Sequence, residues 1–192
     1  MGRMIAPEVL LGAYARGVFP MAEGGRIRWY SPGRRGLLPL DGRFRVPHGL
    51  RRALRREPFE VSWNRDFEGV IRGCAERPDT WIDETIIRSY VELRRRGHAH
   101  SVECRSQGEL AGGLYGVALG RAFFGESMFS RRTDASKVAL VALVGRLRAR
   151  GFELLDTQWL TDHLRQFGGY EVTRGEYERR LARALAGQAE LP

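Results

Sequence analysis

Hydrophobic residues recur at two different periods along this 192-residue chain, and the period changes near residue 97. Between residues 43 and 97, apolar side chains return every three or four positions, which is the spacing of one face of an α-helix. This part of the chain is therefore predicted to form helices at residues 46–56, 66–75 and 83–96, with a single strand at residues 59–63.

Beyond residue 97 the apolar runs become shorter and lie between turns that contain glycine. They predict strands at residues 99–104, 110–118, 121–128 and 152–156, and helices at residues 135–150, 161–166 and 174–185. A strand that follows a helix usually returns beside the strand before that helix. We therefore expect a loop at residues 125–130 to lie near Asp156, in a domain of the α+β class.

The first 42 residues have a different character from the rest of the chain. Residues 6–16 have helical spacing, with Pro7 near the start and Gly17 just past the end, as helix ends prefer. Residues 18–21 and 27–40 are short aromatic runs interrupted by proline. We predict a small N-terminal α/β lobe at residues 1–42 and a larger domain at residues 43–192.

The composition is strongly basic, with a formal net charge of +9 and a pI near 10.5. An arginine-rich surface gains affinity for phosphates by releasing their counterions, so a polyanionic partner is one interpretation. A GC-rich genome that raises arginine everywhere is the other. Among 32 basic residues, Lys137 is the sole lysine. It lies in the run DASK between two predicted strands, where acidic and hydroxyl groups also collect, so we consider it a supporting residue of a candidate site.

Two cysteines, Cys74 and Cys104, are too few for a disulfide framework and lack the spacing of a zinc site. No apolar run approaches the roughly 20 residues that a membrane span needs. We therefore expect a protein of the reducing cytoplasm.

Four arginines, Arg51, Arg52, Arg55 and Arg56, share one face of the helix predicted at residues 46–56. Like charges at this spacing repel each other, so the pattern favours a phosphate-binding surface, and a solvated helix face is the alternative. The aromatic residues Trp29, Trp81 and Tyr90 could stack on a nucleobase. Each of them could equally belong to the core, although Trp29, beside Ser31 and Pro32, is predicted to lie in a loop.

Eight short motifs occur along the chain in a characteristic order. They are GVFPM (17–21), WYSP (29–32), WI (81–82), GHAHSVE (97–103), GGLYGVALG (112–120), FFGESMFS (123–130), ASKVAL (135–140) and LLDTQ (154–158). Together they resemble the leucyl/phenylalanyl-tRNA–protein transferase family over nearly the whole chain. Thr157 departs from the pattern, because many members have cysteine there.

The resemblance implies an aminoacyltransferase. It would move leucine or phenylalanine, and less readily methionine, from aminoacyl-tRNA to the α-amine of proteins that begin with arginine or lysine, which marks those proteins for N-degron degradation. The implied fold is a small N-terminal lobe and an acetyltransferase-like (GNAT-like) mixed-sheet domain. We expect no metal, no coenzyme A and no membrane partner, and a monomer.

The resemblance also implies the site residues. The reaction centre would contain Asp156, Gln158 and Glu126, and alternate residues of one strand would point Asp156 and Gln158 into the same cleft. The aminoacyl-adenosine end would contact Trp29, Trp81 and Tyr90, and Ser127, Ser130, Ser136 and Lys137 would support the site. The apolar pocket for the aminoacyl side chain would consist of Leu114, Phe123, Met128, Leu140, Leu143 and Leu155.

Two alternatives stay open. One is a coenzyme A-dependent N-acetyltransferase, which would need a glycine-containing phosphate loop before the helix at residues 135–150. Residues 129–136 contain no glycine, which disfavours this class. The other is a non-catalytic RNA-binding protein, which would predict damage at Asp156 or Gln158, and both residues are present.

Overall fold

The computed structural model of the chain describes residues 3–56 and 59–191, without the side chains of residues 53–56. The predicted helices are confirmed, most of them to within two residues at each end. The helices are α1 (Pro7–Tyr14), α2 (His48–Arg56), α3 (Phe67–Ala75), α4 (Glu84–Arg95), α5 (Ala135–Ala149), α6 (Asp162–Arg165) and α7 (Arg174–Leu185). The strands are β1 (Phe19–Glu23), β2 (Arg26–Tyr30), β3 (Arg34–Leu38), β4 (Glu60–Trp63), β5 (Ala99–Ser106), β6 (Glu109–Leu119), β7 (Ala122–Ser130), β8 (Leu154–Gln158) and β9 (Tyr170–Thr173).

Seven strands form one mixed sheet in the order β4-β5-β6-β7-β8-β3-β9, and β1 and β2 form a separate hairpin. Within the large sheet, β7 and β8 are parallel, and the other neighbouring strands are antiparallel. Parallel neighbours need a long crossover connection, which α5 provides between β7 and β8. The α+β class, and the expected order of meander, helix and returning strand, are thus confirmed.

Strands β3 and β9 are not identified by the hydrophobic pattern, because both are short and lack a clear alternation. β3 comes from the segment that precedes residue 42, yet it pairs with β8 on one side and β9 on the other. The boundary between residues 42 and 43 stays a prediction. The first part of the chain therefore supplies a strand of the large sheet as well as α1 and the hairpin.

Helices cover both faces of the sheet. Alternation along β6 shows the two layers, because Leu114 and Ala118 belong to one buried cluster while Tyr115 and Val117 belong to the other. The face of Leu114 packs against α2 and α5. The opposite face packs against α1, α3, α4 and α7. The sheet is therefore the middle of three layers.

Besides a register shift between β5 and β6, two β-bulges interrupt the described part of the sheet. Between β6 and β7, Tyr115 pairs with Ser127 while Gly116 pairs with Gly125, which leaves Glu126 as the extra residue. Gly116 accommodates the bulge because a Cβ at this position would lie 2.3 Å from the carbonyl oxygen of Phe124. A bulge of this kind redirects a side chain and is common beside functional sites.

The second bulge lies between β3 and β8, where Gly36 pairs with Gln158 and Leu37 pairs with Asp156. Thr157 is the extra residue, and Gln158 has a left-handed φ of 57°. A Cβ on Gly36 would lie 2.7 Å from the backbone nitrogen of Leu160, so glycine allows the close approach of the two chains.

Strands β7 and β8 separate beyond the bulges. Their parallel pairing ends where Phe124 faces Asp156. Residues 125–130, expected as a loop, are instead the second half of β7 and continue to pair with β6. The two parallel strands therefore diverge, and a cleft opens between them.

Candidate active site

A cavity of about 480 Å³ occupies the cleft between the diverging strands. Residues from β6, β7, α5 and β8 form most of its wall, and Phe19 and Met21 of the hairpin close one side. The backbone amide of Ala22 donates a hydrogen bond to the carbonyl oxygen of Trp81, which joins the hairpin to this wall. Of the residues expected at the site, the cavity brings together Glu126, Gln158, Trp81, Leu114, Met128, Leu140, Leu143, Leu155, Ser127, Ser130 and Ser136.

One side of the cavity is apolar. Leu114, Leu140, Leu143 and Leu155 belong to the buried cluster beneath α5, and Met128 packs against it. Phe123, expected in the same wall, is fully buried behind it and does not line the cavity. The apolar wall is therefore made by five of the six side chains that the sequence predicts.

Glu126 contributes a carboxylate to the floor of the cavity. The hydroxyl of Tyr90 donates a hydrogen bond to its Oε2 at 3.1 Å, and Nε2 of Gln158 donates one to its Oε1 at 3.0 Å. The hydroxyl of Tyr14 is hydrogen bonded to that of Tyr90 in turn. The pKa of Glu126 is raised to about 7, chiefly by burial; the hydroxyls of Tyr14 and Tyr90 and the charge of Arg35 act to lower it, and the charge of Asp156 acts to raise it. This carboxyl group can therefore release or accept a proton near neutral pH.

Asp156 lies beneath the cavity and is fully buried. Its Oδ1 accepts hydrogen bonds from Nε of Arg35 and from the backbone amide of Gln158, each at 2.8 Å. Its Oδ2 accepts from Nη2 of Arg35 at 2.6 Å and from the hydroxyl of Tyr177 at 2.7 Å. These bonds use the roughly four lone-pair positions of a carboxylate. The prediction that Asp156 and Gln158 both point into the cleft therefore holds for Gln158 alone.

Arg35 and Tyr177 are functional candidates that sequence reasoning missed. The Arg35 side chain is 1% exposed and forms a bidentate ion pair with Asp156. Its guanidinium lies between the rings of Phe19 and Tyr177, at 4.9 and 4.5 Å from their centroids, and Nη1 donates to the carbonyl oxygen of Gly17. Burial lowers the pKa of Arg35, but the bond to Asp156 and its charge outweigh this effect and raise it. The sequence indicates a role for Arg35 only in that this arginine precedes a short apolar run.

The expected aromatic residues take three different positions. Trp81 lines the cavity, Tyr90 is buried and binds Glu126, and Trp29 is 42% exposed on β2 and does not line the cavity. Trp159, which the sequence analysis overlooked, lines the cavity and is 45% exposed. Its ring packs edge to face against Phe19, with the centroids 5.1 Å apart. The aromatic side chains of the cavity wall therefore include Trp81 and Trp159.

Of the three hydroxyl groups expected to support the site, those of Ser130 and Ser136 meet at the start of α5, while that of Ser127 on β7 accepts a hydrogen bond from Arg77. Ser130 Oγ donates to Ser136 Oγ at 2.8 Å and accepts from the backbone amide of Ser136 at 2.9 Å. Lys137 forms an ion pair with Asp134 at 2.7 Å and does not line the cavity. Ser130 and Ser136 therefore stabilise the first turn of α5, and Lys137 binds Asp134, the residue that precedes this helix.

Four arginine side chains of α2 are expected to bind phosphate, and the structure describes two of them. Arg51 and Arg52 are exposed, and the side chains of Arg55 and Arg56 lie outside the described residues.

Within the described residues, no group of three or more His, Cys, Asp and Glu side chains could hold a metal ion. Over the same residues, no helix has the length and apolar character to cross a membrane.

The arrangement defines a class of protein. An apolar cavity with a carboxyl group of near-neutral pKa and a fixed amide at its floor is suited to an enzyme that binds an apolar group and transfers a proton beside it. The comparisons with known proteins identify the family. Residues 37–182 match the model of the leucyl/phenylalanyl-tRNA protein transferase family, and residues 3–33 match the model of its N-terminal domain. The chain belongs to this family and is an aminoacyltransferase.

Individual relatives agree with the family models. The leucyl/phenylalanyl-tRNA–protein transferase of a Cereibacter sphaeroides strain is 58% identical over 97% of this chain and 88% of that protein. The one from Paramagnetospirillum magneticum is 58% identical over 97% of this chain and 92% of that protein. The one from Akkermansia muciniphila is 54% identical over 98% of this chain and 100% of that protein.

Among solved structures, a ribosomal-protein-alanine N-acetyltransferase from Brucella melitensis has a TM-score of 0.42 and 15% identity. The likeness covers 56% of this chain and 86% of that chain.

The buried ion pair gives a first prediction about stability. Arg35→Met leaves Asp156 buried without its counter-charge, so we expect the free energy of unfolding to fall by about 3–5 kcal/mol. The double variant Arg35→Met/Asp156→Leu removes both charges and should recover at least half of that loss. Urea unfolding measures both values. The control is Arg34→Met, which removes an exposed ion pair to Glu171 and should cost less than about 1 kcal/mol. An equal loss in Arg35→Met and Arg34→Met would contradict the prediction.

Glu126 gives a prediction about pH. Its pKa of about 7 in the folded protein exceeds the roughly 4.3 of an unfolded glutamate, so the folded state holds the proton more tightly. The resulting stabilisation is complete below the lower pKa and is lost as the pH rises through the higher one. Between pH 5 and pH 8, we expect the wild type to lose on the order of 1–3 kcal/mol relative to Glu126→Gln. Urea unfolding at both pH values tests this, and a constant difference between the two proteins would refute it.

Proposed function

We propose that this protein transfers leucine or phenylalanine, and less readily methionine, from aminoacyl-tRNA to the α-amine of proteins that begin with arginine or lysine. The product would be a protein marked for N-degron degradation. The observation that carries this proposal is the juxtaposition of the apolar wall with the carboxyl group of Glu126 in one cavity. The donor and the acceptor of the reaction need these two environments side by side.

The apolar wall supports the choice of donor. Leu114, Met128, Leu140, Leu143 and Leu155 present hydrocarbon without a charged group, so they favour an aliphatic or aromatic aminoacyl side chain over a polar one. A cavity of about 480 Å³ falls in the usual range of small-molecule sites and leaves room for more than the side chain alone. We assign Phe123 an indirect role, because it packs behind this wall.

The carboxyl group of Glu126 supports the choice of acceptor. An ionised carboxylate attracts the ammonium and the basic side chain of an N-terminal arginine or lysine, and it discriminates against uncharged N-termini. Among the described residues that line the cavity, Glu126 is the sole carboxylate. The cationic end of the acceptor would therefore lie over the floor of the cavity.

In the reaction, the α-amine attacks the carbonyl carbon of the ester, a C–N bond forms, and the C–O bond to the ribose breaks. Glu126 accepts the proton of the attacking amine and returns it to the departing ribose oxygen. A carboxyl group with a pKa of about 7 suits both transfers near neutral pH. Gln158 positions Glu126 through its Nε2, and its side-chain carbonyl oxygen is suited to accept an N–H of the amine.

We assign Asp156 a positioning role in place of that of a base. Its oxygen atoms already accept from Arg35, Tyr177 and the backbone amide of Gln158, and it has no exposed surface. The bond to the amide of Gln158 holds that residue in its left-handed conformation. Asp156 therefore acts on the substrates through Gln158.

The tRNA would extend from the mouth of the cavity. We propose that Trp81 contacts the terminal nucleoside, that Tyr90 acts by holding Glu126, and that Trp29 contacts the donor outside the cavity. The remaining contacts would come from phosphate-binding arginines on α2, namely Arg51, Arg52, Arg55 and Arg56. Such contacts read the backbone and shape of the acceptor stem more than its sequence.

A monomer in the cytoplasm fits this function. Cys74 and Cys104 are both buried and unpaired, as suits a reducing compartment. A coenzyme A-dependent acetylation gains no support, because the amide of Ser136 at the start of α5, which a pyrophosphate would need, already donates to Ser130. Ser127, Ser130, Ser136 and Lys137 are assigned to shaping the cavity and the start of α5.

The transfer reaction gives a direct test. With labelled Leu-tRNA as donor, we expect label in a peptide that begins with arginine and none in the same peptide beginning with alanine. Glu126→Gln should lower the rate with the arginine peptide at least tenfold, because it removes the proton acceptor and the negative charge. The matched control is Glu76→Gln, an exposed glutamate paired with Arg131, which should transfer at the wild-type rate. Equal labelling of both peptides would disprove the acceptor specificity.

The arginines of α2 give a test of tRNA binding. Arg51→Glu/Arg52→Glu should weaken binding and reduce the slope of log K against log salt by about 1–2, since each lost phosphate contact removes roughly 0.7–0.9. The control variant Arg3→Glu/Arg16→Glu makes the same change in net charge around α1, which packs on the opposite face of the sheet. Filter binding at several salt concentrations measures the slopes. A slope equal to that of the control variant would exclude α2 as the phosphate-binding surface.

A further inference from the structure

Arg77 lies at the mouth of the cavity, just after the end of α3, and its side chain is exposed. Two hydrogen bonds fix its position. Nε donates to the carbonyl oxygen of Cys74 at 3.1 Å, and Nη2 donates to Ser127 Oγ at 2.6 Å. The guanidinium is therefore held in one orientation before any ligand binds, although it is open to solvent.

The charge of Arg77 is not neutralised within the described part of the chain. No carboxylate there lies within 4.0 Å of it, and its neighbour Glu76 forms an ion pair with Arg131 at 2.7 Å instead. Both groups that accept its hydrogen bonds are neutral. The nearby thiol of Cys74 is protonated as well, because burial raises its pKa to about 12. Many arginines in the described part of the chain form an ion pair with a glutamate or an aspartate, and Arg77 is one of those that do not.

The charge of Arg77 disfavours binding of the proposed acceptor and favours binding of an anionic donor. Ser127 holds Arg77 next to Glu126 along β7, where the proposed acceptor brings a positively charged chain end. A fixed cation at this place repels that chain end. Its presence is explained if the other substrate brings an anion to the mouth of the cavity.

The proposed donor brings such an anion. Its aminoacyl side chain occupies the apolar wall and its ester lies near Glu126 and Gln158, so the terminal nucleoside lies at the mouth, beside Trp81. The nearest negative charge of the donor is the phosphodiester on the 5′ oxygen of that nucleoside. We propose that Arg77 is the binding site for this phosphodiester, an inference that rests on the proposed function.

A guanidinium binds a phosphate through charge-assisted hydrogen bonds, which are stronger than neutral ones. Nη1 of Arg77 donates to no neighbour in the part of the chain that the structure describes, so its hydrogens are available to a ligand at the mouth of the cavity. Arg77 thus sets the depth at which the donor enters, because phosphate contact and insertion of the apolar side chain occur together.

The test compares two small donors that differ in one phosphate. They are 2′(3′)-O-leucyladenosine and its 5′-methylphosphate, which carries a single phosphodiester charge, with the arginine-first peptide as acceptor. For the wild type we expect kcat/KM to be roughly tenfold higher with the methylphosphate donor, through a lower KM. Arg77→Gln should abolish this preference, so that kcat/KM becomes the same for the two donors, while Arg77→Lys should keep part of it.

The matched control is Arg131→Gln, which removes another exposed arginine of the same side, paired with Glu76, and should keep the full preference. A preference that persists in Arg77→Gln, or a wild type without any preference, would overturn the proposal. An equal loss with both donors would assign Arg77 to the acceptor or to folding and would also overturn it.

Failure of the proposed function gives a different pattern. In that case the wild type does not transfer leucine from Leu-tRNA or from either of the two small donors. The subsite is then judged by calorimetric titration with adenosine 5′-methylphosphate and with adenosine. Tighter binding of the methylphosphate by the wild type, lost in Arg77→Gln, supports the subsite, and equal binding of the two compounds refutes it.

Discussion

The buried ion pair between Arg35 and Asp156 is the interaction on which the rest of the site depends. It joins β3 to β8, and its bonds to the hydroxyl of Tyr177 and the carbonyl oxygen of Gly17 bring α7 and the end of α1 to the same point. Both charges are almost entirely removed from water, so each needs the other and its full set of hydrogen bonds. A rigid charged centre therefore lies directly beneath the cavity.

The ion pair places the reacting groups by way of the backbone. Asp156 accepts from the amide of Gln158 and so fixes the bulge at the end of β8, and Gln158 in turn donates to Glu126. Glu126 itself occupies the bulge of β7. Two bulges on diverging parallel strands thus turn two side chains toward each other. In the proposed reaction, Glu126 transfers the proton, and the buried Asp156 contributes by fixing the geometry of Gln158.

Charge in this protein is divided between two kinds of surface. Over much of the described chain, arginines are paired with acidic residues in exposed ion pairs, each of which adds little stability. At the cavity, by contrast, Glu126 and Arg77 lie close together without forming an ion pair with each other. Separated opposite charges at one opening suit two substrates of opposite charge. The net charge of +9 would favour the proposed anionic donor through the release of counterions.

The sequence by itself determined the helices, the meander, the α+β class and the family, because these depend on local periodicity and on motifs in a fixed order. It also identified Glu126, Gln158 and five side chains of the apolar wall, since the motifs contain them. Only the tertiary structure decided that Asp156 does not line the cavity, that Arg35 forms an ion pair with it, and that Arg77 lies at the mouth of the cavity. The bond between Arg35 and Asp156 joins segments 121 residues apart, and the bond between Arg77 and Ser127 joins residues 50 positions apart. Hydrophobic periodicity records which face of a strand is buried, but it contains no information about which distant strand lies beside it.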